Sequence, residues 1–264
     1  VLIVLVALVG RAAVVLLTTI SAFEFRIIQP FYGERASWQG LQIFNAADRR
    51  HPLLKEMVER YEATLSEKAL VLRREGVNYG YDPNIQDNGA LFLVAGDRRA
   101  AVPYFQIMGW RDDLIPYDVI EQEKVVDTLH LSDIVGGKEH FFAPGDVDVC
   151  LLPNNIAEQL DVSVGDTVTI MGLPLTVKGI FPALRKEVRV NPETGEETTV
   201  YIPGPLDRLT DLDGLPVTFL RGAKFRQGEA DSPVHAPSSE LVIVPRAWID
   251  KYGIFPTIVH SLVV

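Results

Sequence analysis

The stretch that decides the fold runs Cys150-Leu151-Leu152-Pro153, Asn154-Asn155-Ile156-Ala157-Glu158-Gln159-Leu160, Asp161-Val162-Ser163-Val164-Gly165-Asp166-Thr167-Val168-Thr169-Ile170, Met171-Gly172-Leu173-Pro174-Leu175-Thr176-Val177-Lys178-Gly179-Ile180-Phe181. It reads as a strand from Val147 into Leu152, a short helix over Asn154–Leu160 and a turn at Val164-Gly165-Asp166. A strand over Thr167–Ile170, a turn at Gly172-Leu173-Pro174 and a strand over Leu175–Phe181 follow. Thr167, Thr169 and Thr176 alternate with Val168, Ile170 and Val177, the period-two pattern of a half-buried strand. Cys150, the only cysteine, falls within the first strand and reads as a small buried hydrophobe. One cysteine excludes an internal disulfide and any multi-cysteine zinc site.

Downstream, Val188-Arg189-Val190 and Thr199-Val200-Tyr201-Ile202 flank Asn191-Pro192-Glu193-Thr194-Gly195, which predicts a β-hairpin with Gly195 at a positive φ. Leu241–Val244 and Thr257–Val264 are further strands. Upstream, Leu41–Phe44 reads as a short strand. Pro52 then opens an amphipathic helix whose apolar face is Leu54, Met57, Val58, Tyr61 and Leu65. Asn78–Asn88 is a loop carrying Tyr79 and Tyr81, Ala90–Ala95 a buried strand, and Ile120–Leu131 has helical spacing broken by Gly136-Gly137. Many strands and few helices predict a mixed, β-rich α+β domain with room for two lobes.

Residues 1–23 are apolar or small apart from Arg11 and include neither proline nor acid. As a helix they extend about 34 Å, enough to cross a hydrocarbon core of about 30 Å. Phe23, Phe25, Phe31, Tyr32 and Trp38 follow, aromatics suited to the membrane interface. The reading adopted is a transmembrane helix over 1–23, an exit linker over 24–40 and an extracytoplasmic domain over 41–264, cut before a further span. A cleaved signal peptide, whose apolar region is normally shorter, and a buried core helix are the alternatives. Arg11 either reflects a shifted span or faces a partner helix, or it is a functional intramembrane charge.

The chain has 264 residues and a formal net charge of −10; beyond Arg11 there are 24 basic against 35 acidic side chains. Basic residues cluster no further than pairs such as Arg49-Arg50, Arg73-Arg74 and Arg98-Arg99, which argues against nucleic-acid binding. Gly136-Gly137-Lys138-Glu139 lacks the spacing of a phosphate loop, and neither a G-x-S-x-G elbow nor an H-E-x-x-H helix occurs. His51, His130, His140, His235 and His260 form no close pair. Asp146, Asp148, Asp207, Asp211 and Asp213 are candidates for acid–base or calcium chemistry, but the last three miss the calcium-loop spacing. No residue is assigned a catalytic, cofactor-binding or metal-ligating role.

The segment Cys150–Phe181 resembles a recurring stretch in the extracytoplasmic core domain of MacB/FtsX-like ABC transporter permeases. The matching residues are Leu151-Leu152, Ile156-Ala157-Glu158-Gln159-Leu160, Val164-Gly165-Asp166-Thr167-Val168 and Leu175-Thr176-Val177-Lys178-Gly179-Ile180. Val200-Tyr201-Ile202-Pro203 and Val242-Ile243-Val244-Pro245 look like that family's late strands. The resemblance implies a non-enzymatic domain on the outer side of the cell membrane. It also implies a cytoplasmic ATP-binding subunit, a permease homo- or heterodimer and contact with membrane lipid. ATP-driven motion would then serve export, lipoprotein release or activation of a cell-wall enzyme. A membrane-anchored hydrolase, whose Asp and His residues would converge in a pocket, and an anchored binding or adhesion module are the rival readings.

Overall fold

Strand-forming segments dominate the described part of the chain, as the density of Val, Ile, Leu and Thr runs predicts. A computed structural model describes residues 42–44, 53–78, 91–121, 124–192, 194–210, 216–218, 220–221, 234–253 and 257–264. Its first elements are β1 (Gln42–Phe44), α1 (Lys55–Leu65), β2 (Leu72–Asn78), β3 (Leu91–Ala95), β4 (Arg98–Val102) and β5 (Tyr104–Met108). Next come β6 (Tyr117–Glu121), β7 (Lys124–Leu129) and the one-turn helix α2 (Leu131–Ile134). The deciding stretch supplies β8 (Val149–Pro153), α3 (Asn154–Leu160), β9 (Thr167–Ile170) and β10 (Leu173–Phe181). The hairpin β11 (Leu184–Val190) and β12 (Glu197–Pro203) follows, then the two-residue strands β13 (Leu209–Thr210), β14 (Leu220–Arg221) and β15 (Val234–His235). The last elements are β16 (Leu241–Pro245), α4 (Arg246–Tyr252) and β17 (Ile258–Val263).

Among the described residues ten strands join in one mixed sheet of order β1-β17-β2-β5-β16-β8-β10-β9-β3-β4. β10 is parallel to β8 and β16 parallel to β5, while the other neighbours are antiparallel. Successive side chains of the central strands enter two different cores, because alternate residues face opposite sides of a sheet. Phe105, Ile107, Cys150, Leu152, Val242 and Val244 enter one core, covered by Ile156, Ala157 and Leu160 of α3 and by Trp248 and Ile249 of α4. Tyr104, Met108, Leu151, Leu241 and Ile243 enter the other, closed by Tyr117, Val119, Leu131, Phe141 and Leu206. Strands buried on both faces lose the polar–apolar alternation and read as continuous apolar runs. Leu241-Val242-Ile243-Val244 is such a run.

The strand–helix–turn–hairpin order read in Cys150–Phe181 is present, but the second turn is Met171-Gly172, and Leu173 and Pro174, expected in the turn, already pair with Ile170 and Thr169 in β10. Cys150 is wholly buried, and burial pushes its thiol up. Gly165 takes a φ of +97° in the turn before β9. Gly179 sits where the β8–β10 register shifts, and a Cβ there would stand 2.3 Å from the His140 carbonyl oxygen. The position therefore needs glycine for space. The predicted hairpin forms with Val188 opposite Thr199, and Gly195 has a φ of +70°.

Three further expectations change. Ile120–Leu131, expected to be helical, holds the end of β6 and all of β7; its β-branched Ile120, Val125, Val126 and Thr128 favour a pleated strand over a helix. Helix begins only at Leu131, where the Asp133 carboxylate accepts the His130 N–H at 2.8 Å. Second, α1 buries Val58, with Leu53 just ahead of it, against Val259 and Leu262, and leaves Leu54 and Met57 exposed. The Leu53 N–H bonds the Val259 carbonyl at 2.8 Å, and that tie sets the roll of the helix. Third, the strand Leu91–Ala95 buries only Leu93 fully, because it lies next to the sheet's last strand. The N-terminal segment 1–23, the linker 24–40 and the tyrosine loop lie outside the described residues. Among the described residues no helix is long and apolar enough to cross a membrane.

Candidate functional site

Three consecutive charged residues, Arg73-Arg74-Glu75, lie in β2, between β17 and the core strand β5. A strand this polar would ordinarily be solvated, yet Arg74 and Glu75 are buried. Alternation sends Arg74 to one face of the sheet and Arg73 and Glu75 to the other. Each set meets its own counter-charges.

On the first face, the Arg74 guanidinium donates to Asp112 Oδ1 at 3.3 Å and to the Tyr117 hydroxyl at 2.9 Å. Asp112 also accepts the Gly109 N–H at 2.8 Å, and the Tyr117 hydroxyl donates to the Asp112 carbonyl at 3.3 Å. Arg74 stacks over the Tyr117 ring, 5.2 Å from its centroid. Burial raises the Asp112 carboxyl above its ordinary range, outweighing the opposing pull of Arg74. On the second face, Glu75 pairs with Arg246 at the start of α4 and lies 3.9 Å from Arg73. Arg73 in turn donates two hydrogen bonds to the Glu62 carboxylate of α1, which hold its guanidinium strongly protonated. Burial first, then Arg73, lowers the Arg246 guanidinium to about 10, so it remains a cation at neutral pH.

Of these groups Glu62, Arg73, Glu75, Asp112 and Arg246 line a cleft of about 480 Å³ at the carboxyl ends of the parallel strands β5 and β16. Its charged side chains are Arg73, Arg111 and Arg246 with Glu62, Glu75, Asp112, Asp146 and Asp250. Among the described residues the lining holds no Ser, Thr, Cys, His or Lys side chain. Chemically the arrangement ties elements together: α1, β2, α4 and the turn at residues 109–112 meet through ion pairs.

Of the residues singled out in the sequence only Asp146 lines this cleft. Asp146 accepts the Ala143 N–H at 2.7 Å and pairs with Lys178. Asp148 accepts from Lys251 at 2.6 Å and from the Tyr252 hydroxyl at 3.0 Å, and the Lys251 bond lowers its carboxyl. Asp207 accepts the Ser238 N–H at 2.7 Å and hydroxyl at 2.6 Å, while burial raises it. His130 Nδ1 meets the Asp113 carbonyl at 2.8 Å, and His235 Nδ1 meets the Thr218 carbonyl at 2.5 Å; burial lowers His235. His140 lies beside Glu139. Among the described residues no three His, Cys, Asp or Glu side chains gather as a metal site. Arg11, His51, Tyr79, Tyr81, Asp211 and Asp213 lie outside the described residues, as does the side chain of His260. Sequence reasoning passed over the β2 charges, using Arg73-Arg74 only to argue against nucleic acid. The available signal was a charged triplet inside Val71-Leu72-Arg73-Arg74-Glu75-Gly76-Val77, apolar at both ends.

No protein-family model matches the chain, and no curated protein matches it. Solved structures show a likeness, among them these two. One is the extracellular domain of the noncanonic ABC-type transporter YknZ from Gram-positive bacteria, at 11% identity over 84% of this chain and 80% of that one, with a TM-score of 0.34. The other is the periplasmic region of MacB from Actinobacillus actinomycetemcomitans, at 13% identity over 90% of this chain and 78% of that one, with a TM-score of 0.36.

Proposed function

We propose that residues 41–264 are the extracytoplasmic domain of an ABC transporter permease, anchored in the cell membrane by residues 1–23. In this reading the domain is not an enzyme. It is moved by ATP hydrolysis in a cytoplasmic ATP-binding subunit, within a permease homo- or heterodimer in contact with lipid. The motion serves export, lipoprotein release or activation of a cell-wall enzyme.

The observation that carries the reading is the pairing of the first and last strands. β1 and β17 are antiparallel, with Gln42 opposite Val263, so the chain enters and leaves the sheet at one end of one edge. That arrangement suits a domain held between two membrane segments, since displacement of either segment then acts on the same edge. The strand–helix–turn–hairpin unit at Cys150–Phe181, on which the family resemblance rests, adds support.

The test uses the full-length chain in its native membrane. Cys150 is buried, so a Met57→Cys variant offers one exposed thiol to a membrane-impermeant maleimide. Labelling in intact spheroplasts, together with recovery of an ATP-binding subunit when the chain is purified from membranes, is the expected result. Labelling only after lysis would sink the location. Labelling without an ATP-binding partner would sink the permease and favour an anchored binding module.

A further inference from the structure

The rungs that join Gln42 to Val263 and Val263 to Leu72 across β1, β17 and β2 mark one end of the large sheet. β5 runs towards the same end: Glu75 is opposite Ile107, so Trp110, three residues on, comes level with Leu72. There β5 passes into a short 3-10 helix, Trp110–Leu114. Ile115, directly after it, packs against Leu72 and Val263. With neighbouring strands about 4.8 Å apart, this turn stands about 14 Å from Gln42.

The turn Trp110-Arg111-Asp112-Asp113-Leu114 has two acids against one base, yet the fold turns both acids inward. Asp112 is buried, accepting the Gly109 N–H at 2.8 Å and the Arg74 guanidinium at 3.3 Å. Asp113 Oδ1 accepts the Ser132 N–H at 2.6 Å. What faces outward is Trp110, 38% exposed, Leu114, 53% exposed, and the exposed Arg111. The Arg111 guanidinium lies 5.4 Å from the Trp110 ring centroid; among the described residues the contact that holds it is this ring, not a carboxylate.

We propose that this turn rests on the outer surface of the membrane that anchors the chain, with Trp110 and Leu114 among the lipid glycerol and upper acyl groups and Arg111 on a lipid phosphate. The inference rests on the permease reading, which joins this end of the sheet to the membrane through residues 24–40. A linker of that length lets the sheet end touch the bilayer or stand clear of it, so the surface chemistry decides. Tryptophan favours the membrane–water boundary because its ring is apolar and its N–H polar, and a guanidinium matches a phosphate in geometry and charge. Turning Asp112 and Asp113 inward withdraws the carboxylates that anionic headgroups would repel. Three side chains fall well short of the roughly twenty residues a side of a stable protein interface. They suffice for a bilayer, because the anchor already holds domain and lipid together at high effective concentration.

The test uses the full-length chain in vesicles of phosphatidylethanolamine and phosphatidylglycerol, with or without lipids brominated near the glycerol end of their acyl chains. Its tryptophans are Trp38, Trp110 and Trp248. Trp38→Phe removes the first, and Trp248 is wholly buried in the core, beyond a quencher that acts at contact. Brominated lipid should therefore quench the Trp38→Phe chain, and adding Trp110→Phe should abolish most of that quenching. Arg111→Glu with Leu114→Glu should reduce it at least about twofold, at unchanged circular dichroism. Equal quenching with and without Trp110 would overturn the inference, as would a charge-reversed turn quenched as strongly as the parent. Trp110 shielded from both brominated lipid and aqueous iodide would mean that a protein surface covers the turn, which also overturns it. Flotation separates this inference from the reading beneath it. A chain that floats with the vesicles but shows none of this quenching overturns the contact alone, whereas a chain that does not float loses its anchor and the contact with it.

Discussion

Removing Arg246 while keeping Glu75 should damage the protein far more than removing both. Glu75 is wholly buried, and its carboxylate has Arg246 against it and Arg73 at 3.9 Å. Arg73 is already committed to Glu62, so Arg246→Met leaves a buried carboxylate with only a shared, distant cation. At about 4 Å and an effective dielectric of about 20, a unit pair is worth roughly 4 kcal/mol. Measured losses for one partner of a buried pair run about 3–5 kcal/mol. We expect Arg246→Met to cost about 3–4 kcal/mol, a fall in Tm of roughly 10 °C for a domain of this size. Glu75→Leu with Arg246→Met removes both desolvated charges and should return to within about 1 kcal/mol of the parent, as such paired replacements often do. The exposed Lys55–Glu59 pair, 3.7 Å apart, is the control; breaking it should change stability by less than about 0.5 kcal/mol. Urea unfolding followed by far-ultraviolet circular dichroism reads all four chains. A single variant within 1 kcal/mol of the parent, or a double variant worse than the single, would refute the view of β2 as an ionic hub.

Gly179→Ala should cost about 1–3 kcal/mol in the same assay, because the new methyl meets the His140 carbonyl and the Leu151 side chain. Gly165→Ala has open space and should cost about 1 kcal/mol through its positive φ alone; equal losses at the two sites would contradict the space argument. Met171 is 63% exposed and holds a φ of +50° beside Gly172 in the two-residue turn between β9 and β10, so Met171→Asn should stabilise by about 0.5–1 kcal/mol. Asp112 supplies a pH test. A carboxyl raised in the folded state binds its proton more tightly there than in the unfolded chain, so its contribution is fully present below the ordinary value of about 3.9 and is lost as pH rises through the raised value. Asp112→Asn should flatten that part of the stability–pH curve measured by urea midpoints, and an unchanged slope would assign the dependence to other groups.

Local spacing made the Cys150–Phe181 unit and the 184–203 hairpin legible, because turn residues and period-two alternation lie close together there. The two-core arrangement was hidden for a physical reason. Strands buried on both faces show no alternation, so Leu241–Val244 reveals its apolarity but not its partners. Parallel pairing of β5 with β16 joins Tyr104 to Leu241 across more than half the chain, a contact that no local window contains. Ile120–Leu131 misled because its helical spacing of apolar residues outweighed their β-branching. The charged joint in β2 was least visible, since Arg73, Arg74 and Glu75 become intelligible only beside Glu62, Asp112, Tyr117 and Arg246.

The pairing of β1 with β17 also has a mechanical side. Gln42, Ile43 and Phe44 oppose Val263, Leu262 and Ser261, so among the described residues three rungs hold the entering strand to the leaving one. Drawing residues 42 and 263 sideways apart loads these rungs one after another, as a zipper opens, and needs little force. Drawing both the same way along the strands loads the β17–β2 ladder in shear, where the rungs from Leu72 to Gly76 resist together. The fold is therefore compliant to separation at its edge and stiff to a common pull.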